Sequence, residues 1–151
     1  MSDSRRQLLV DAVRTRFATI LVSGGYETNI GAKLFEWRVT ELETADLPAL
    51  NFRDTRNVTE QKLSHIHQHA LEFEADVLTA GVSETPKQIR KMIADVVKCI
   101  GVDRTWGGIA YDTDPKEDVL GMDQAGLIAG GARIKFVIKY RTRSFNPYSP
   151  Q

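Results

Sequence analysis

Residues Ser4 to Val22 place Leu8, Leu9, Ala12, Val13, Phe17, Ile20 and Leu21 at helical spacing, with Arg5, Arg6, Asp11, Arg14 and Arg16 on the other faces, and so predict an amphipathic first helix. Gly24-Gly25 predict its end, because glycine accepts the left-handed turn that other residues resist, and the polar run Tyr26 to Gly31 continues as loop. The period then changes to two. Phe35, Trp37 and Val39 alternate with Glu36, Arg38 and Thr40, the pattern of a strand with one buried and one wet face. Pro48 lacks the N–H a ladder needs, so the next strand is predicted just after it, over Ala49 to Asp54 with Leu50 and Phe52 inward. Arg53 to Lys62 reads as a polar connection. Leu63 to Leu78 is the longest predicted strand, with Leu63, His65, His67, His69, Leu71, Phe73, Ala75 and Val77 on one side.

A second helix follows. Thr85 is its predicted cap, Pro86 suits the first helical position and Gln88 completes a Thr-x-x-Gln capping box; Ile89, Met92, Ile93, Val96, Val97 and Ile100 form the buried stripe and Gly101 ends it. The remainder predicts strands near Gly108 to Asp112, around Val119 to Asp123, and over Ala132 to Thr142. In the last, Ile134, Phe136, Ile138 and Tyr140 face one way while Arg133, Lys135, Lys139 and Arg141 face the other. No internal repeat occurs, which excludes a solenoid. Antiparallel hairpins on each side of the second helix would let both apolar stripes cover one face of a single sheet. The expected fold is therefore α+β, a two-layer sandwich with a mainly antiparallel sheet and two amphipathic helices packed on one face. Residues 1–143 form one expected domain, and 144–151, with two prolines and no packing pattern, a flexible or partner-ordered tail.

The length of 151 residues suits one hydrophobic core, and 42% hydrophobic with 26% charged residues is the composition of a folded, water-soluble protein. The single cysteine, Cys99, rules out an internal disulfide and fits synthesis in a reducing cytoplasm. Charges throughout residues 1–16 leave no apolar export signal, and no long uncharged apolar stretch predicts a membrane span. Twenty basic residues cancel twenty acidic ones, which argues against general nucleic-acid binding. Their distribution is more informative. Asp112, Asp114, Glu117, Asp118 and Asp123 stand against Lys116 alone, whereas Arg133, Lys135, Lys139, Arg141 and Arg143 follow with no further acid. These two runs either pair across a hairpin or lie on different faces and attract a neighbouring copy.

Candidate chemistry is sparse. His65, His67 and His69, all the histidines of the chain, would sit about 6.8 Å apart in successive steps along one strand face. Neighbours could share a metal, but the outer pair, about 13.6 Å apart, could not, so a third ligand would have to come from another strand. Partly exposed sheet histidines are the plainer expectation. Cys99 beside the second helix's apolar stripe reads as a buried, inert thiol. The acidic run lacks the glycine and terminal glutamate of an EF-hand loop, and Gly24-Gly25, Gly107-Gly108 and Gly130-Gly131 do not continue as phosphate loops. Trp106 with Gly107-Gly108 predicts a turn whose ring packs over the sheet edge or meets a partner. A basic last strand suggests nucleic acid only weakly, since Phe136 and Tyr140 fall on its apolar face. No cofactor, metal site or enzymatic activity is expected.

Organisation along the chain carries more than any single motif. Gly25-Tyr26-Glu27-Thr28-Asn29-Ile30-Gly31 lies ahead of a strand and Asp46-Leu47-Pro48-Ala49-Leu50 opens the next. A long polar strand spans His69 to Val77, then come Ile93-Ala94-Asp95-Val96 in the second helix, the turn Thr105-Trp106-Gly107-Gly108 and the closing Phe136-Val137-Ile138-Lys139-Tyr140-Arg141-Thr142. This order, over most of the chain, resembles the tail terminator family of long-tailed bacteriophages, minor tail proteins similar to lambda protein U. The resemblance implies a virion structural protein made in the host cytoplasm. Such a subunit forms a homohexameric ring that caps the head-proximal end of the tail tube, meets the head connector or a head-completion protein, and passes DNA through its lumen without specific binding. Other head-tail joining, head-completion and tail-tube proteins share this size, and a metal-binding protein using the three histidines is a further alternative. Charge segregation suggests Asp112, Asp114, Glu117 and Asp118 against Arg133, Lys139, Arg141 and Arg143 as contacts between copies or with a neighbouring ring.

Overall fold

The computed structural model describes residues 2–40, 42–80, 85–121 and 128–150. Its elements are α1 (Arg5–Phe17), β1 (Leu34–Glu36), β2 (Ala49–Lys62), β3 (Ile66–Ala80), α2 (Thr85–Ile100), β4 (Asp112–Gly121), β5 (Ile128–Arg143) and β6 (Asn146–Pro150). They make an α+β protein around one sheet of order β1-β2-β3-β5-β4, with β6 added on β5. The sheet is mixed: β1 runs parallel to β2, and every other pair is antiparallel.

The helix α1 begins where Ser4 Oγ accepts the Gln7 N–H at 3.1 Å, and Arg14 and Arg16 favour its negative C-terminal end. It stops at Phe17, earlier than the apolar spacing predicts. Ile20 is still fully buried, but from a turn, so the hydrophobic pattern outlasts the helix. The chain then folds back against that end. Gly31 donates its N–H to Ile20 O at 3.0 Å, and a Cβ at Gly31 would lie 2.5 Å from Phe17 O, so only glycine fits.

One core gathers Leu9, Val13 and Phe17 of α1, Ile89, Met92 and Val96 of α2, and the buried rows of β2, β3 and β5. At its centre Phe73 stacks on Phe136 with centroids 5.1 Å apart, while Phe17 meets Phe136 and Phe52 edge-on at 6.1 and 5.5 Å. Four rings from four elements thus interlock. A buried carboxylate adds a polar clamp: Asp95 of α2, 3% exposed, accepts the N–H groups of Glu27 and Thr28 at 3.1 and 2.8 Å and the Thr28 hydroxyl at 2.6 Å.

Several expected boundaries move. Residues 53–62, expected as a polar connection, form the outer half of β2, paired with β3 down to Lys62–Ile66. Both faces of that half are wet, so it carries no alternation. The turn that follows spans 63–65, which puts Leu63 and His65 off the β3 face shared by His69, Leu71, Phe73, Ala75 and Val77. The strand expected over Phe35 to Thr40 ends at Glu36, because Trp37 takes a positive φ of 55°. No strand begins at Gly108, since Trp106, Gly107 and Gly108 are successive left-handed residues; β4 starts at Asp112 and runs through the segment where a separate strand was expected. Asp123, at the end of that prediction, and Gln151 lie outside the described residues. In the expected tail, Ser144 and Phe145 turn the chain and Asn146–Pro150 joins β5 as an edge strand, the position in a sheet that tolerates proline.

Candidate functional site

The sheet face turned away from the core is a lattice of charge. Across the strands run Arg53 and Arg56 of β2, Glu72, Glu74 and Asp76 of β3, Arg133, Lys135 and Lys139 of β5, and Asp112, Asp114 and Glu117 of β4, so columns of alternating sign lie side by side. The period of two puts like charges in one column, and antiparallel pairing sets each column against its opposite. Arg53 bonds Glu74 and, at 3.2 Å, Asp76; Arg133 reaches Asp76 at 2.9 Å and Glu74 at 3.4 Å. Lys135 pairs with Glu117 at 3.2 Å and Lys139 with Asp114 at 2.9 Å. The Lys139 hydrogen bond holds the Asp114 carboxyl below its usual range, and Asp114 in turn raises the Lys139 ammonium.

Of the eight charged residues singled out in the sequence, six are thus engaged inside the chain. Asp112 meets Arg104 at 2.8 Å, Asp114 and Glu117 pair with lysines, Arg133 with β3 acids, and Lys139 with Asp114. Arg141 donates to Gln68 Oε1 at 3.3 Å, its guanidinium 4.2 Å above the Tyr111 ring. The acidic and basic runs meet as two strands of one hairpin, the first of the two arrangements their spacing allowed. Asp118 and Arg143 are the exceptions: both are exposed and neither has an ion-pair partner among the described residues. A contact using the other six would compete with partners already made.

The histidines are divided. His65 lies in the β2–β3 turn, His67 meets the Phe145 ring edge-on at 4.9 Å, and His69 is buried with its ring stacked on Tyr140 at 4.5 Å. Both nitrogens of His69 are occupied: Asn57 Nδ2 lies 3.0 Å from Nδ1 and Thr142 Oγ1 2.9 Å from Nε2. Among the described residues no group of three or more His, Cys, Asp or Glu side chains is placed to hold a metal. Burial, with a smaller contribution from His67, lowers the His69 pKa below the ordinary 6.5. A folded-state pKa below the unfolded value means that stability is complete above about pH 6.5 and is lost as pH falls through the folded value. The urea midpoint of the wild type is therefore expected to drop between pH 7 and pH 5, and the drop to shrink in His69→Gln; equal drops in both would refute the assignment.

Cys99 is fully buried, its thiol 3.4 Å from Arg16 O, and burial pushes its pKa up, as an inert thiol requires. Trp106 is also buried; its indole N–H donates to Thr113 Oγ1 at 2.8 Å and the Arg16 guanidinium lies 3.7 Å over the ring. The turn beneath it is organised by Asp103, whose carboxylate accepts the Thr105 hydroxyl and the N–H groups of Thr105 and Gly107, lowering its pKa to about 2. Among the described residues no helix is long and apolar enough to cross a membrane.

Sequence reasoning missed two features at opposite ends of the sheet. Leu63 and Phe145 stand out at one end, 73% and 91% exposed, and Leu78, Val119 and Leu120 line a hollow at the other together with the charged Asp76, Arg133 and Lys135. Neither has a local sequence signature, since each joins residues distant in sequence. No protein-family model matches the chain, and no curated protein matches it.

Proposed function

We propose that the protein is a structural subunit of a phage virion, a tail terminator that assembles as a hexameric ring, caps the head-proximal end of the tail tube and joins it to the head connector. Capping means covering the tube's growing surface without regenerating it, so no bond is made or broken. The observation that carries the reading is that the widely spaced segments resembling that family belong to one core-bearing framework. Asp95 of α2 clamps Glu27 and Thr28, the Thr105 to Gly108 turn seats Trp106 beneath Arg16, and Phe136 to Thr142 is the strand beside β3. The finer architecture follows: a two-layer sandwich with both helices on one face, which leaves the charged face open to neighbours or to a lumen.

Two physical features support this reading. The formal net charge is zero and the charged face neutralises itself, so copies can approach closely without mutual repulsion. DNA would then thread such a ring without being gripped. The place of action is the neck of the virion tail, after synthesis in the host cytoplasm, with the tail-tube protein and a head-completion or connector protein as partners. The test is polymerisation of the cognate tail-tube protein. Added before elongation, this protein is expected to shorten the tubes in proportion to its concentration and to appear at one end. Unchanged tube lengths would refute capping, and extension of this chain alone into open cylinders would make it a tube protein instead.

A further inference from the structure

The strand β2 is covered for only part of its length. β1 pairs with it from Leu50 to Phe52, Trp37 closes that ladder by donating its N–H to Phe52 O at 3.0 Å, and no described residue pairs with the outer edge from Asp54 to Lys62. Which main-chain groups stand open there follows from parity. Leu50 and Phe52 turn theirs to β1. The bulge between Asp54 and Arg56 then shifts the phase, so that Arg56, Val58, Glu60 and Lys62 bond to β3 while Asn57, Thr59 and Gln61 turn N–H and C=O outward. An open edge of this length is a template for another strand.

Its side chains select one strand in particular. A two-fold axis through Val58 sets Arg56 of each copy opposite Glu60 of the other, Asn57 opposite Thr59, and Val58 opposite Val58. Opposite residues of an antiparallel pair share a face, so both Arg–Glu pairs form on one side of the sheet with the valines, 43% exposed in the single chain, between them. Moving the axis spoils the match: through Arg56 it sets Arg against Arg, through Asn57 it sets Arg56 against Val58, through Thr59 Arg56 against Lys62, and through Glu60 Glu against Glu. Backbone bonding agrees, because Asn57 and Thr59 both face outward and exchange both main-chain bonds in this register. Length agrees as well. The partner's Lys62 reaches the bulge at Asp54, and the Leu63 after it, 73% exposed, arrives beside Trp37, 49% exposed. The ion pairs already present are weak competitors. Arg56 meets Glu72 at 3.5 Å and Lys62 meets Glu60 at 3.0 Å, but Arg56 and Glu60 remain 70% and 63% exposed, where such pairs contribute little.

We propose that two copies of this chain pair antiparallel through the outer edges of β2, on a two-fold axis at Val58, and continue the sheet from one copy into the other. The contact is isologous and leaves no free end, so it is distinct from the head-to-tail contact that a ring needs. It pairs subunits outside a ring and covers the edge that a lone subunit leaves open. The inference does not rest on the tail-terminator reading.

The test uses the full-length chain carrying Val58→Cys or Lys62→Cys. Opposite residues of a non-hydrogen-bonded pair lie about 4.5 Å apart at Cα, within disulfide reach, whereas the two Lys62 positions lie roughly 27 Å apart. Mild oxidation is expected to link Val58→Cys into dimers and to leave Lys62→Cys unlinked, with the native Cys99 buried. Without oxidant, Arg56→Glu is expected to raise the dimer dissociation constant at least tenfold in analytical ultracentrifugation. Adding Glu60→Arg to it should restore the wild-type value, and both variants should keep the wild-type thermal midpoint at concentrations where all are monomeric. No linking, or equal linking of the two cysteines, would overturn the pairing, and a double variant as weak as the single one would overturn the register. Rings in electron micrographs with Val58→Cys unlinked would defeat this inference and leave the tail-terminator reading standing. Linked dimers in a protein that never forms rings would uphold the inference and defeat that reading.

Discussion

Phe136→Ala is expected to destabilise the folded monomer by about 3–5 kcal/mol, the usual cost of removing a buried aromatic ring and leaving a cavity. Phe136 is 1% exposed, stacks flat on Phe73 and touches the Phe17 edge, so its loss empties the junction of α1, β3 and β5. The neighbours cannot collapse into the gap without moving strand pairs fixed on both sides of β5. Set against a typical total of about 5–15 kcal/mol, this is a large fraction of the stability. Urea unfolding at a concentration where the protein is monomeric measures it directly. A change under about 1 kcal/mol would mean that the ring cluster is not the centre of the core.

Asp95→Ala is expected to cost about 3 kcal/mol or more, and for a different reason. The carboxylate is buried and accepts three hydrogen bonds from Glu27 and Thr28; truncation strands three donors at once. Each hydrogen bond to a charged acceptor contributes about 1.5–3 kcal/mol, offset in part by water entering the gap. The damage should be local as well as global. Amide exchange is expected to accelerate first in Glu27 and Thr28, the segment Asp95 holds against α2. Asp95→Asn keeps the shape but turns an N–H₂ group toward at least one donor, so it should fall between wild type and alanine. Equal stability of all three proteins would show that the clamp carries no weight.

How far the sequence could be read depended on whether an element faces the core. In α2 the stripe Ile89, Met92, Val96 and Ile100 marks a helix whose buried side is as expected, although Val97, placed in the stripe, is 40% exposed, and Thr85 and Pro86, expected as its cap and first residue, are its first and second residues. In β5 the alternation of Ile134, Phe136, Ile138 and Tyr140 with basic residues gave both the strand and its inward face. The outer half of β2 was not legible, because none of the described residues covers it and a strand wet on both faces has no period. Nor was β6, which is held by backbone pairing and presents prolines at an edge. His65 was misplaced because Leu63, apolar and in phase with β3, extends the alternation into a turn.

The charge lattice was half legible. The acidic and basic runs were plain, and so was the possibility that they pair as a hairpin. Their engagement with Arg53, Glu74 and Asp76 was not, since it depends on β3 lying between β2 and β5. The exposed Leu63 and Phe145 and the hollow at Leu78 and Val119 were illegible for a related reason. Each joins residues distant in sequence, Leu63 with Phe145 and Leu78 with Val119, and a single apolar residue in a turn has no local signature.

Self-association into a closed ring is the claim on which the functional account stands, and native mass spectrometry of the purified full-length protein, paired with negative-stain imaging, tests it most directly. The account predicts one dominant closed oligomer, six copies on the tail-terminator reading, seen end-on as an annulus. A single monomeric species at every concentration, with no annuli even beside assembled tail tubes, would contradict it.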